Sequence, residues 1–205
     1  MIRLYHWPRS SATRVHWALE ELGAPYESVR LDGKKGEHRQ AAYLTINPNG
    51  KVPALVDGDE TFFESVAILL HLAERYGVEK GLWPRSGPDH AAAMSWTVWS
   101  IVELHAYGMQ FVYHGCDSPV SYKPADRSAA AAEYTFGHLR RMLDMLEARL
   151  EGRDHVLGAF SLVDIPIVAT LTFLSVLGVS EIPARPRLTA YMARCTSRPA
   201  FARAV

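Results

Sequence analysis

Ile46-Asn47-Pro48-Asn49-Gly50-Lys51-Val52-Pro53-Ala54-Leu55-Val56-Asp57-Gly58-Asp59-Glu60-Thr61-Phe62-Phe63-Glu64-Ser65 carries the reading from which the rest of the chain follows. Asn-Pro-Asn-Gly is a turn, with a fixed φ followed by residues that tolerate φ > 0. Val52 to Val56 has the composition of a strand, yet Pro53 lies inside it. Proline has no N–H for a sheet neighbour, so the ladder is expected to be open there. An X-Pro bond beside a tight turn is also the usual place for a cis peptide. Together these predict a cis Val52-Pro53 bond, with the N–H and C=O of Val52 left for an extended, peptide-like ligand. Asp57-Gly58-Asp59 is a hairpin turn, and Thr61 to Phe63 returns as a second strand.

Glu64-Ser65 stands where period-2 patterning gives way to helical spacing at Val66, Leu69, Leu70 and Ala73. Free amide donors and the positive dipole end favour an anion at such a start. Plain helix capping accounts for the pair equally well.

Upstream, Ile2 to Tyr5 is a strand, and His6-Trp7-Pro8-Arg9 leads to Ser10-Ser11. Val15, Ala18, Leu19 and Leu22 recur at helical spacing until Gly23 stops the helix. Tyr26 to Leu31 is a second strand, so the unit is expected to be a right-handed parallel crossover. Residues 33–44 are polar and weakly helical, and Gly77 ends the helix that starts near Ser65. The order is β-α-β-α-β-β-α, that of a thioredoxin-like domain over residues 1–78. Leu82 to Pro88 is the one clear linker, placed at 79–88. Residues 89–205 are expected to be all-helical. A long apolar helix over about 89–113 should be buried on most sides. A second runs from Asp126, with Phe136, Leu139, Leu143, Leu146 and Leu150 inward. Ser161 and Asp164 have capping-box spacing, and a helix at about 186–197 closes the chain.

Of the 205 residues, 48% are hydrophobic, enough for a substantial core. Lys+Arg and Asp+Glu both number 22, and this zero net charge argues against a nucleic-acid or anionic-membrane binder. Cys116 and Cys195 form no C-x-x-C, which excludes a thioredoxin-type dithiol. The apolar segment 165–179 is too short to span a bilayer. The nine histidines show no metal-site spacing with a third ligand, so no metal is expected. A soluble, cytoplasmic protein is expected.

Lys51-Val52-Pro53-Ala54-Leu55 followed by Glu64-Ser65 resembles the glutathione-binding half of the cytosolic glutathione S-transferases. The match is to the serine-type, bacterial/theta/delta-like members. The resemblance extends over the whole chain and is strongest in 1–77. It implies a glutathione transferase-like fold, an α+β thioredoxin-like domain followed by an all-α domain. It also implies glutathione as co-substrate. Val52 and Pro53 would meet its cysteinyl backbone, and Glu64 and Ser65 its γ-glutamyl end. In Tyr5-His6-Trp7-Pro8-Arg9-Ser10-Ser11-Ala12-Thr13-Arg14 it implies a serine that donates to the thiol sulfur. Ser10, four residues before Arg14, is preferred; Ser11 and Tyr5 are the alternatives. Read without the resemblance, the serines are an N-cap and Tyr5 an ordinary strand aromatic.

Arg14 would hold the active-site loop or a ligand carboxylate, unless it is a simple salt-bridged arginine. His38 and Lys51 would meet the glycyl carboxylate, unless they belong to a solvated helix face. The resemblance implies conjugation of glutathione to a small, partly apolar electrophile, a detoxification reaction, in a homodimer. The acceptor would lie between the domains, with Trp7, Trp99, Tyr107 and Phe111 as lining residues or mere core. A glutathione-dependent isomerase or peroxidase is a variant of the same site. A non-catalytic binding or assembly module is the reading from another class.

Overall fold

A computed structural model describes residues 1–205, which fall into two compact units, 1–87 with 198–205, and 88–197. The first unit holds a four-stranded sheet of order β2-β1-β3-β4. Its strands are β1 (Ile2–His6), β2 (Tyr26–Arg30), β3 (Ala54–Asp57) and β4 (Glu60–Phe63). β1 and β2 run parallel, joined by α1 (Ala12–Leu22), and the other two pairings are antiparallel. α2 (Ala41–Leu44) and α3 (Ser65–Leu72) complete the predicted β-α-β-α-β-β-α order.

Register explains the core. Leu4 faces Leu55 and Tyr5 faces Ala54 across the central pair. Leu4 and Leu55 are fully buried with Val15, Leu19, Ile68 and Leu69 of α1 and α3. The opposite face is closed by Tyr43 of α2 against Val52 and Ala54, with Tyr5, Trp7, Leu31 and Ile46 around them.

The chain does not end on the helix before Arg198. α9 (Pro199–Ala204) follows and packs on α1 as part of the first unit. Phe201 meets Trp17 edge-on at 4.8 Å, and Arg198 grips both oxygens of the Glu21 carboxylate at 2.6 and 2.7 Å. Six residues are too few for a visible helical period, so Arg198-Pro199 looks like a terminus when it is an N-cap and first turn.

The second unit is helical: α4 (Gly87–Trp99), α5 (Ala106–Gly115), α6 (Ala129–Arg149), α7 (Asp164–Val176) and α8 (Pro186–Thr196). α4 and α5 form the expected long helix, but its hydrogen bonding widens to a π pattern over Ser100–His105. Its buried stripe is narrow: Ala93, Thr97, Ser100, Leu104, Gly108 and Val112. A Cβ on Gly108 would come within 2.5 Å of Leu174, so the glycine permits close approach to α7. The expectation of burial on most sides fails at Val98 and Val102, which are 37% and 55% exposed within this chain.

α6 starts three residues later than Asp126, because Pro124 begins a 3-10 turn there and Ser128 caps the helix, accepting from the Ala131 N–H at 3.2 Å. Leu139, Leu143, Leu146 and Leu150 are buried as expected, while Phe136 is only half-buried. Asp164 does reach back to the Ser161 N–H, at 2.8 Å. The Ser161 hydroxyl does not cap in return; it donates to the same carboxylate. Val156 N–H and Tyr191 OH donate to the other oxygen, at 3.1 and 2.9 Å. Cys116 and Cys195 are buried and form no disulfide, and Cys195 Sγ lies 3.6 Å from His155 Nδ1. No helix is long and apolar enough to cross a membrane.

Candidate functional site

Three segments of the first unit converge at the N-terminus of α1. The approach is strained: Arg9, without a glycine's freedom, takes φ 57°. This turn brings Ser10 and Ser11 to the helix start. The Ser10 hydroxyl donates to the Trp7 C=O at 2.7 Å and accepts from the Ala12 N–H at 3.3 Å. It therefore does the capping, one residue earlier than the helix boundary suggests. The Ser11 hydroxyl reaches 41 residues along the chain and donates to the Val52 C=O at 3.2 Å.

The second segment is the proline turn. Val52-Pro53 is cis, and the β1–β3 ladder ends at Ala54, so Val52 lies outside the sheet. Its C=O is not idle as predicted, because Ser11 occupies it; its N–H has no partner in the chain. The turn itself is pinned at Lys51, whose C=O accepts from Tyr43 OH at 2.5 Å and Asn47 Nδ2 at 2.7 Å. Gly50 takes φ 57°, and a Cβ there would meet the His38 C=O at 3.0 Å. Glycine is thus required both by conformation and by contact.

The third segment is Glu64-Ser65. Glu64 has φ 70° and ψ 120°, a left-handed backbone held by a non-glycine residue, and its side chain is exposed. Strain of about 1–3 kcal/mol at such a residue is characteristic of ligand sites. Ser65 opens α3 and is buried, its Oγ accepting from Arg14 Nη1 at 3.3 Å. Arg14 is itself buried, which pushes its guanidinium down to about 10, still charged at neutral pH.

Of the remaining expected residues, Tyr5, His38 and Lys51 belong to the first unit and Trp99, Tyr107 and Phe111 to the second. Tyr5 packs its ring 5.7 Å from Tyr43. His38 meets Trp7 edge-on at 5.3 Å, and its buried Nδ1 has no hydrogen-bond partner. The Lys51 side chain is exposed. Trp99, Tyr107 and Phe111 each pair with an aromatic ring of the helical unit: Trp96, His138 and Phe136. Three contributors were not foreseen. Arg9 carried no sequence signal. Asn47 and Tyr43 did, through the turn and a helical aromatic, but only the folded chain aims both at Lys51.

Residues 1–74 match the family model for the glutathione S-transferase N-terminal domain, and 102–199 that for the C-terminal domain. Glutathione S-transferase 3 of Zea mays is 33% identical over 216 residues, spanning 100% of this chain and 93% of the relative. The chain belongs to the glutathione S-transferase family. A second plant glutathione S-transferase, F6 of Arabidopsis thaliana, is 31% identical over 97% of this chain and 96% of its own. Among solved glutathione transferases, one from Methylococcus capsulatus superposes with TM-score 0.83 at 29% identity, covering 100% and 97% of the two chains. One from Burkholderia graminis, with two glutathione molecules bound per subunit, gives 0.87 at 26% identity, covering 99% and 86%. The cis proline, the paired serines and the left-handed Glu64 therefore sit in the N-terminal domain of a glutathione S-transferase fold.

Proposed function

We propose that this protein binds glutathione in its first unit, ionises the thiol and joins it to a small electrophile. The observation that carries this is the Ser11–Val52 hydrogen bond, which sets the paired serines against the segment that would hold the cysteinyl residue. In this reading the cysteinyl backbone pairs with Val52, beside Pro53. The γ-glutamyl carboxylate lies at the α3 start on Ser65, and its ammonium group on the exposed Glu64. His38 and Lys51 face the glycyl carboxylate.

An ordinary thiol has pKa about 8.5, so only a few per cent is thiolate at neutral pH. A hydroxyl donor and the α1 N-terminus both favour the anion. Ser10 turns its O–H from the Trp7 carbonyl toward the sulfur and keeps its own proton; the thiol proton leaves to solvent. The thiolate then attacks carbon, and the electron pair departs with the leaving group or, on addition, takes a proton from water. Isomerase or peroxidase chemistry would use the same thiolate. Two cysteines outside any disulfide accord with a reducing, cytoplasmic setting.

One observation favours binding without turnover. Both hydroxyl protons are already engaged, Ser10 on Trp7 and Ser11 on Val52. Retention on immobilised glutathione, followed by assay with a chloronitroarene, separates the two. Retention with turnover is expected; retention with none makes the protein a binding module, and no retention removes both readings.

We also propose a homodimer. The outward face of the long α4–α5 helix carries Ala91, Ser95, Val98, Val102, Ala106 and Gln110, with no charge among them. A charge-free helical stripe fits against a second copy. Sedimentation should give twice the chain mass at micromolar concentration, and Val102→Arg should shift it toward one.

A further inference from the structure

The helical unit carries a concavity of about 330 Å³, lined among others by Arg153, Asp154, Arg187, Ala190 and Arg194. Its construction is specific. Arg187 and Arg194 lie two turns apart on one face of α8, and the small Ala190 between them leaves the floor open. The turn through Gly152 after α6 adds Arg153 to the lining, its N–H donating to the Leu150 C=O at 3.1 Å.

The charges are not balanced. Arg187 pairs with Glu151 at 3.1 Å, and Arg194 with Asp154, whose C=O lies at 2.8 Å and carboxylate at 3.6 Å. No carboxylate lies within pairing distance of Arg153. Its field reaches Arg149, whose guanidinium is held below its ordinary value by burial and then by Arg153. Glu151 and Asp154 are about three-quarters exposed, at 74% and 77%. Exposed pairs of this kind contribute little, so both carboxylates can yield to a better ligand in exchange for water.

We propose that this concavity is a binding site for a small soluble polyphosphate anion, such as a diphosphate. Guanidinium forks match phosphoryl oxygens two at a time, and the three forks of Arg153, Arg187 and Arg194 outnumber the two carboxylates, of Glu151 and Asp154, that pair with them. The volume lies within the range of small-molecule sites.

The test is calorimetric titration of the full chain with inorganic pyrophosphate at fixed ionic strength, with glutathione saturating throughout. One saturable site is expected. Arg153→Ala should weaken it roughly tenfold to a hundredfold, the loss of a charge-assisted hydrogen bond. Ala190→Phe, which fills the floor, should abolish it, and neither change should alter retention on glutathione. No saturable heat overturns the proposal, as does wild-type affinity in both variants. Citrate binding as tightly as pyrophosphate would overturn the phosphoryl assignment.

Discussion

Arg14 Nη1 donates to Ser65 Oγ at 3.3 Å, joining the first turn of α1 to the first residue of α3. Ser11, on the same face of α1, holds Val52. One helical turn therefore fixes both segments assigned to glutathione. A charged group buried this deeply is held by its partners, and removing it leaves them unsatisfied. Arg14→Leu is expected to cost about 2–4 kcal/mol of stability and to weaken glutathione binding about tenfold or more. Urea unfolding and calorimetry on the folded fraction check the two effects separately.

His6 and His16 lie with ring centroids 4.3 Å apart, their planes tilted by 57°; His6 Nε2 pairs with Ser28 Oγ at 2.8 Å. Burial, then the His16 and Arg30 charges, push His6 down to about 4. His16 is also lowered, by burial, with Glu20 acting in the opposite sense. Unfolded histidines take up protons near pH 6.5 while the folded pair resists, so the unfolded state binds more protons and stability falls with falling pH. The window is pH 6.5 down to about 4. Melting temperature should drop by a few degrees from pH 7 to 5, and His6→Gln should flatten the dependence.

Asp164 is fully buried and accepts four hydrogen bonds, from Val156, Ser161 (twice) and Tyr191. Asp164→Ala leaves those donors without an acceptor, at about 1–3 kcal/mol each when no water enters. Denaturant unfolding should show a loss of at least about 3 kcal/mol, and Asp164→Asn a smaller one.

The proline turn was legible because proline and glycine constrain backbone directly, and Glu64-Ser65 because period-2 patterning gives way there to helical spacing. Val52-Pro53 is cis, and α3 starts at Ser65, as their residue types dictate. The strand and helix order was legible from periodicity. What the sequence hid were contacts between distant positions. Ser11 on Val52 and Arg14 on Ser65 span 41 and 51 residues, and no local pattern encodes them. α9 was hidden by its shortness, and the π turn at Ser100–His105 because it keeps the helix apolar without changing composition.

The central claim is that Ser10 stabilises the glutathione thiolate, and the direct measurement is thiolate absorbance of the bound complex against pH. A hydrogen bond to a charged sulfur is worth about 1.5–3 kcal/mol, less about 1 kcal/mol for leaving the Trp7 carbonyl. Ser10→Ala is therefore predicted to raise the pKa of bound glutathione by roughly one unit, at about 1.4 kcal/mol per unit, with affinity for glutathione little changed. Glu64→Ala should instead weaken binding and leave the titration in place. An unchanged titration in Ser10→Ala, with an upward shift in Ser11→Ala or Tyr5→Phe, would contradict the assignment of the donor. No shift in any of the three would contradict thiol activation by this site altogether.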